Sequence, residues 1–417
     1  MKALKIIPMF SLVFLIGQNL GGQSYRVFQD ELDNIRNNIR LSFGPFKIQP
    51  LLQLRDLGYD DNIYFESRPI SDYTGTLSPE VRVFLPFRNY LILSFRDNPE
   101  YVYYLKESRR RVFTNSYGFG AKLLFLHRFV LSGDYHYDEH RQRLSSELGH
   151  LVTDISQGYS LGLFYETARK TSLGFTGFIN YLKYGDIETA AGEIPLSRIL
   201  NRQERGGTME FYYRLFWDGY FFVSAGYTEF QFESAESSWR DAYSYQGYMG
   251  IRFPLTGGVR GTLSLGYKKF MPRAEGRKRF SGLVGKTELS ARFGRIGLRL
   301  NYGRDNVFSY WEDVFYFIED RVASGLSYYL TTFLRLDYNY EYSTANYPEF
   351  SAVDTATGEP TRIRRVDKHQ THSVGLVFRV YRNMGLGLTW NLAQWTSDLP
   401  GWNRKKTFVG VNLIYQF

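Results

Sequence analysis

The chain contains no cysteine, which excludes disulfide staples and thiolate metal sites and is compatible with an oxidising export route. Beyond its N-terminus it has no apolar run of about 18 residues, the length a membrane-spanning helix needs. Mean hydropathy is −0.34. Helical membrane proteins are thereby excluded, but a membrane β-barrel is not, because half of every barrel strand is polar. Histidine is scarce, at six residues: His127, His136, His140, His150, His369 and His372. His369 and His372 lack a further ligand at metal spacing, so no metal or other cofactor is expected. Asp134 and His136 share one strand face, as an acid–base pair would. No serine stands in a recognisable nucleophile context, however, and an enzyme is the third-ranked reading. The 39 glycines form no phosphate-cradling or dinucleotide pattern. No linker run or composition break divides the 417 residues.

What is abundant is aromatic. Phe, Tyr and Trp make up 18% of the chain, with 34 Tyr and 34 Phe. Tyrosine suits a membrane interface, where the ring is buried and the hydroxyl stays wet. Residues 1–22 have the layout of a signal peptide: Lys2 and Lys5, an apolar core from Ile6 to Ile16, then Leu20-Gly21-Gly22. Its removal takes two lysines from a formal charge of +9. For an exported chain the matching partners are lipopolysaccharide phosphates and acidic glycans, not nucleic acid. Residues 23–45 form a short periplasmic segment in which Phe28, Leu32, Ile35 and Ile39 make one helical apolar stripe. The favoured reading is a short helix leading into a barrel. A small plug at a lumen mouth is the other.

From residue 46 to 417 the chain alternates strand, tight turn, strand and longer polar loop. Eight tight turns stand near 86–89, 126–128, 168–170, 217–219, 256–258, 294–295, 331–332 and 381–383. Between them lie longer polar stretches such as 185–206 and 345–368. Met209, Phe211, Tyr213 and Leu215 alternate with Thr208, Glu210, Tyr212 and Arg214, and Leu334, Leu336, Tyr338 and Tyr340 alternate with Arg335, Asp337, Asn339 and Glu341. A dry sandwich core could not hold those charges, whereas a barrel with an apolar outside and a wet inside can. The fold expected is all-β: a transmembrane antiparallel barrel of about eighteen strands, with sixteen the alternative count, short periplasmic turns and longer extracellular loops. The first strand, near Ile48–Tyr64, should pair with the last, Thr407–Phe417.

Strand parity places a set of basic side chains in the lumen: Arg55, Arg82, Arg96, Lys122, Arg214, Arg252, Arg260, Lys268, Lys286, Arg292, Arg299, Arg335 and Arg379. The acidic set is smaller: Glu80, Asp134, Glu210, Glu288, Asp305, Asp337 and Glu341. A salt-bridged, water-facing wall is one reading. A net-positive lumen favouring anions is the other. Basic clusters at 109–111, 277–279 and 362–365 fall in expected outer loops, suited to lipopolysaccharide phosphates.

Two stretches carry a resemblance. Val409, Val411, Leu413, Tyr415 and Phe417 form an apolar parity ending on an aromatic. This resembles the closing strand of bacterial outer-membrane barrels, and implies that Tyr415 and Phe417 are read by the barrel-assembly machinery. Gly58-Tyr59-Asp60-Asp61-Asn62-Ile63-Tyr64, with Leu77-Ser78-Pro79 in the second strand, resembles the outer-membrane porin family associated with exopolysaccharide biosynthesis and export. The resemblance implies a pore or scaffold for surface polysaccharide, working with export-system proteins. The alternative is a general diffusion porin with mild anion preference. Asp60, Asp61 and Asn62 also suit a loop rim, bonding their own backbone. Deleting Phe417 is expected to impair outer-membrane assembly while leaving export to the periplasm intact, as fractionation and heat-shift gels would register.

Overall fold

The structure is a computed structural model that describes residues 25–66, 68–142, 151–167, 170–189, 192–215, 219–253, 258–311, 314–353, 360–381, 383–398 and 402–417. The expected signal peptide, 1–22, lies outside the described residues. Period-2 alternation of branched and aromatic with polar residues gives long strands. The first nine are β1 (Phe46–Asp60), β2 (Asp72–Phe87), β3 (Leu91–Tyr104), β4 (Val112–Phe125), β5 (Phe129–Gln142), β6 (Val152–Glu166), β7 (Thr171–Tyr184), β8 (Arg202–Arg214) and β9 (Tyr220–Phe232). The remainder are β10 (Ala242–Phe253), β11 (Val259–Pro272), β12 (Phe280–Phe293), β13 (Ile296–Phe308), β14 (Tyr316–Tyr329), β15 (Leu334–Val353), β16 (Pro360–Tyr381), β17 (Met384–Ser397) and β18 (Arg404–Gln416). Each pairs antiparallel with its chain neighbours, and β1 also pairs with β18, closing an eighteen-stranded barrel. Arg88, Leu126, His127, Lys170 and Gly294 take positive φ in the short turns, as tight hairpins require.

The inner face is identified by what it encloses. Helix α1 (Tyr25–Asn38) buries Phe28, Leu32 and Ile35 against Ile92, Leu124, Val130 and Phe164, with Phe84 alongside. These wall residues stand near the short-turn ends of β2 to β6. The helix is therefore drawn into the lumen mouth, not left leading up to the barrel from outside. The reason is its stripe, which in water would remain exposed and here covers the apolar bases of five strands. On the outer face, Leu161, Leu265, Leu283 and Met249 are exposed, as lipid-facing side chains are.

Two stretches expected as loops are more ordered than their polarity suggested. Within 345–368, β15 and β16 continue as a hairpin, with Tyr347 opposite Arg365 and Ala345 opposite Asp367. Arg365 and Asp367 are fully buried and paired at 2.6 Å, so this polar sequence is consumed internally. Within 185–206, helix α2 (Leu196–Leu200) buries Leu196, Ile199 and Leu200, and β8 already begins at Arg202. The first strand ends at Asp60, not near Tyr64.

Residues 58–62 knit the closing seam. A Cβ at Gly58 would stand 2.0 Å from the Val409 carbonyl oxygen of β18, so only glycine permits the approach. Below it, a bulge puts Asp56 at φ 53°, and its N–H donates to Asn412 Oδ1 at 2.8 Å. Tyr59 points outward against Tyr73, with ring centroids 5.4 Å apart. Asp60 accepts from Asn62 N–H at 3.0 Å and pairs with Lys406 at 2.5 Å. Asp61 accepts from Thr407 N–H at 2.6 Å. Asn62 donates to the carbonyls of Glu66 and Lys405 at 2.8 and 2.9 Å and accepts from Glu66 N–H at 3.0 Å. The motif latches the first loop to the last strand. Asn62→Ala is expected to cost about 1–3 kcal/mol through unmet buried carbonyls and amide, and Gly58→Ala more, read as lower urea midpoints for the vesicle-inserted barrel.

Candidate functional site in the barrel lumen

Parity through the strand register puts every basic and acidic residue expected in the lumen on the face that encloses α1. Much of this charge is neutralised in place. Arg55 meets Glu100 at 2.5 Å, Arg82 meets Glu80 at 2.5 Å, and Arg96 meets Asp138 at 3.0 Å. Lys268 pairs with Asp305 at 2.7 Å, Lys286 with Glu288 at 3.3 Å, Arg335 with Asp337 at 2.7 Å, and Arg321 with Glu341 at 2.6 Å. Lys122 reaches across to α1, 2.7 Å from Glu31. Arg36 of α1 donates to Asn89 Oδ1 at 2.9 Å and to the Arg88 carbonyl, in the first short turn. An apolar stripe and polar contacts at two points hold the helix against β2 to β6.

The opposite wall is different. Arg214, Arg252, Arg260, Arg292, Arg299, Arg335 and Arg379 all lie within four residues of the short-turn ends of their strands, from β8 round to β16. Arg252 lies over Tyr212 at 5.2 Å and Arg292 over Tyr329 at 4.5 Å. Arg260 donates to Ser290 Oγ at 3.0 Å. Among the described residues, Arg260, Arg292, Arg299 and Arg379 form no ion pair; the nearby carboxylates Glu288 and Asp337 are taken by Lys286 and Arg335. Facing this arc across the lumen is the wet side of α1, where Asp30, Asp33, Asn34 and Asn37 are exposed. Half a helical turn separates them from the buried stripe. The short-turn mouth thus has a cationic wall and an acidic, polar wall at one level.

At the long-loop end, loops from several hairpins interlock. Helix α2 packs with Val152, Ile187 and Tyr310. Arg240, buried, donates to the Trp311 carbonyl at 2.6 Å and to that of Ser309. Trp311 lies 5.6 Å from Trp402, and Trp402 6.2 Å from Trp395. Phe65 of the first loop stacks on Trp395 at 6.5 Å. Arg365 sits among Trp311, Tyr347 and Trp402, at 5.0, 4.6 and 5.3 Å. Arg404 lies over Trp395 and Trp402 at 4.9 and 5.2 Å. The loops after β1, β7, β9, β13 and β17 form one layer over the mouth. Sequence reasoning missed this layer. The available signal was tryptophan in polar loops: Trp239, Trp311 and Trp402 have no reason to be there unless they pack.

Other expected sites resolve differently. Arg365 is internal, not a solvent-facing loop cation, because Asp367 and three rings claim it. The side chains of Arg362 and Arg364 lie outside the described residues. Arg110 and Arg111 lie over Tyr64 and Tyr103, at 3.4 and 4.3 Å, and Arg277 over Trp239 at 4.0 Å. Asp134 and His136 do share the inner face, with Ser160 opposite Asp134, but His136 Nε2 has no hydrogen-bond partner among the described residues. Glu210 lines the wall on the long-loop side of Arg252, and Glu341 on the short-turn side of Arg321. Tyr415 and Phe417 point outward, with ring centroids 4.6 Å apart.

The family model described as "Putative beta-barrel porin 2" matches residues 41–417. The chain belongs to this porin family. It is an outer-membrane β-barrel porin, and its short turns are periplasmic. No curated protein matches it. Among solved structures it is similar to the outer-membrane protein OpdK of Pseudomonas aeruginosa, with 12% identity and a TM-score of 0.48 over 89% of this chain and 98% of that one. Similarity to OpdO of the same organism has 11% identity and a TM-score of 0.49, over 89% and 97%. The siderophore receptor PirA of Pseudomonas aeruginosa matches at 9% identity and a TM-score of 0.46, over 89% and 80%.

Helix α1 stands in this porin's periplasmic mouth and is held there by its apolar stripe and by the Glu31–Lys122 pair. Glu31→Gln removes an ion pair worth on the order of 1 kcal/mol and is expected to increase brief current steps in planar bilayers. Deleting residues 25–38 is expected to give a permanently larger single-channel conductance.

Proposed function

We propose that this porin is a diffusion channel for small anionic solutes, narrowed at both ends. The observation that carries the reading is the arginine arc of β8 to β16 set against α1. Arginines that keep their charge beside an aqueous path lower the barrier for anions and raise it for cations. The acidic face of α1, on the other side, sets a field across the mouth that orients solutes bearing both charges. The paired cations of the upper wall add shape but little net potential.

Export of surface polysaccharide is the second reading, motivated by the resemblance of residues 58–64. Two observations weigh against it. The motif residues are occupied in closing the seam, and α1 and the loop layer stand at the two ends a glycan chain would have to pass. A barrel enzyme is disfavoured because, among the described residues, no hydroxyl is hydrogen-bonded to His136 Nε2.

Reversal potentials across a salt gradient test the proposal. The purified barrel is expected to conduct stably without glycan and to prefer chloride over potassium. The triple substitution of Arg260, Arg292 and Arg299 to Gln is expected to bring the permeability ratio close to one. Cation selectivity in the unmodified protein would sink the proposal. A barrel that stays silent until exopolysaccharide is added would favour export.

A further inference from the structure

The outer wall carries a feature that the lumen does not explain. On β7 to β10, where most lipid-facing positions hold aromatic or branched side chains, four hold Gly177, Gly207, Ala225 and Gly247. Gly177 lies opposite Gly207, and Ala225 lies opposite both Met209 and Gly247. Gly177, Gly207 and Ala225 line a groove of about 530 Å³ in the wall, bordered by Phe175, Met209, Tyr227 and Tyr245. Tyr227 and Tyr245 lean together at 5.1 Å.

Immediately up-strand the same face turns cationic. Arg205 stands two residues beyond Gly207, and Lys269 is the register partner of Tyr245. Arg205 Nε is 2.7 Å from Glu229 Oε2, and Arg273 binds the other oxygen of that carboxylate. One carboxylate, 13% exposed, thus holds two guanidiniums side by side, 52% and 51% exposed. Lys183 and Lys269 are exposed on the same face of the flanking strands. By contrast Arg304 and Asp320, on the outer face of β13 and β14, form a balanced pair at 2.7 Å.

The height of this cluster suits a headgroup. Arg205 is eight residues up β8 from the interfacial Tyr213. That is roughly 26 Å of strand at about 3.3 Å per residue, or roughly 20 Å of height at a tilt of about 40°. The outward apolar band of such barrels is about 25 Å tall. The guanidiniums therefore stand near the outer edge of the hydrocarbon, directly above the groove.

We infer that this sector binds a phosphorylated glycolipid of the outer leaflet, with a sugar phosphate on Arg205 and Arg273 and an acyl chain in the groove. Guanidinium forks match phosphate oxygens two by two. Glu229 holds both forks in place but neutralises only one. The aromatic borders give the chain a fixed slot with more contact than a convex, side-chain-covered wall offers.

The test is native mass spectrometry of the intact barrel in detergent, titrated with bis-phosphorylated lipid A, its dephosphorylated form, or phosphatidylglycerol. One bis-phosphorylated lipid A is expected to persist under activation that strips phosphatidylglycerol. Arg205→Gln with Arg273→Gln should weaken lipid A about tenfold and leave the dephosphorylated form unchanged. Glu229→Gln, which removes the one opposing charge, should strengthen lipid A. Gly177→Leu should weaken both forms, because the leucine fills the groove. A Cβ at Gly177 would have the Gly206 carbonyl oxygen as its nearest neighbour, at 4.0 Å, so the strand tolerates it. Unchanged conductance in these variants confirms folding, since none of them faces the lumen. Equal retention in the arginine double variant overturns the inference. So does equal retention of phosphatidylglycerol, or a dimer of the chain that Gly177→Leu dissociates.

Discussion

In a bilayer no water is present to satisfy a backbone N–H or C=O, so a sheet can cross only if it has no edges. For this chain that condition is met at one place, the pairing of β1 with β18, and the other seventeen interfaces are hairpins or loop-linked neighbours that form locally. The seam is the costly interface, since it joins residues more than 340 positions apart, as Asn62 and Lys405 show. Loop-closure entropy of that size has to be met by specific contacts. Gly58 allows the close approach, Asp61 and Asn62 take backbone partners from β18, and Asp60 holds Lys406. A sequence motif that could pass for a ligand site is thereby accounted for by closure.

Closure also creates the lumen in which charge can be held. Inside it, like-signed side chains on neighbouring strands would repel, and the wall resolves this by pairing most cations with a carboxylate two residues away or on a nearby strand. Near the periplasmic mouth, Arg260, Arg292, Arg299 and Arg379 escape that pairing among the described residues. They share their level with α1, which occupies the opposite wall because its apolar stripe has apolar strand bases to cover. Two unlike walls at one level are the consequence of the helix lying on one side.

At the other end, aromatic rings and guanidiniums replace carboxylates as partners. Arg365 and Arg404 lie over tryptophans, and Arg240 is bound by carbonyls, which fixes five loops to one another without a disulfide. Among the described residues, these five loops are therefore held together without cysteine.

Period-2 alternation alone determined the strands, their number to about eighteen with sixteen the alternative, and the face on which each lumen charge lies, because a strand has only two faces and lipid accepts only one kind of side chain. Arg299 and Leu300 could be assigned from neighbours in sequence. What the alternation could not carry was partnership. Lys122 meets Glu31, Arg240 meets Trp311, and Gly177 meets Gly207 only in the folded barrel, and each pair joins residues from different strands or loops. Whether a lumen cation is neutral or free, whether a polar loop is solvated or packed, and whether a glycine leaves a groove are decided by those distant neighbours. Those were settled only by the tertiary structure.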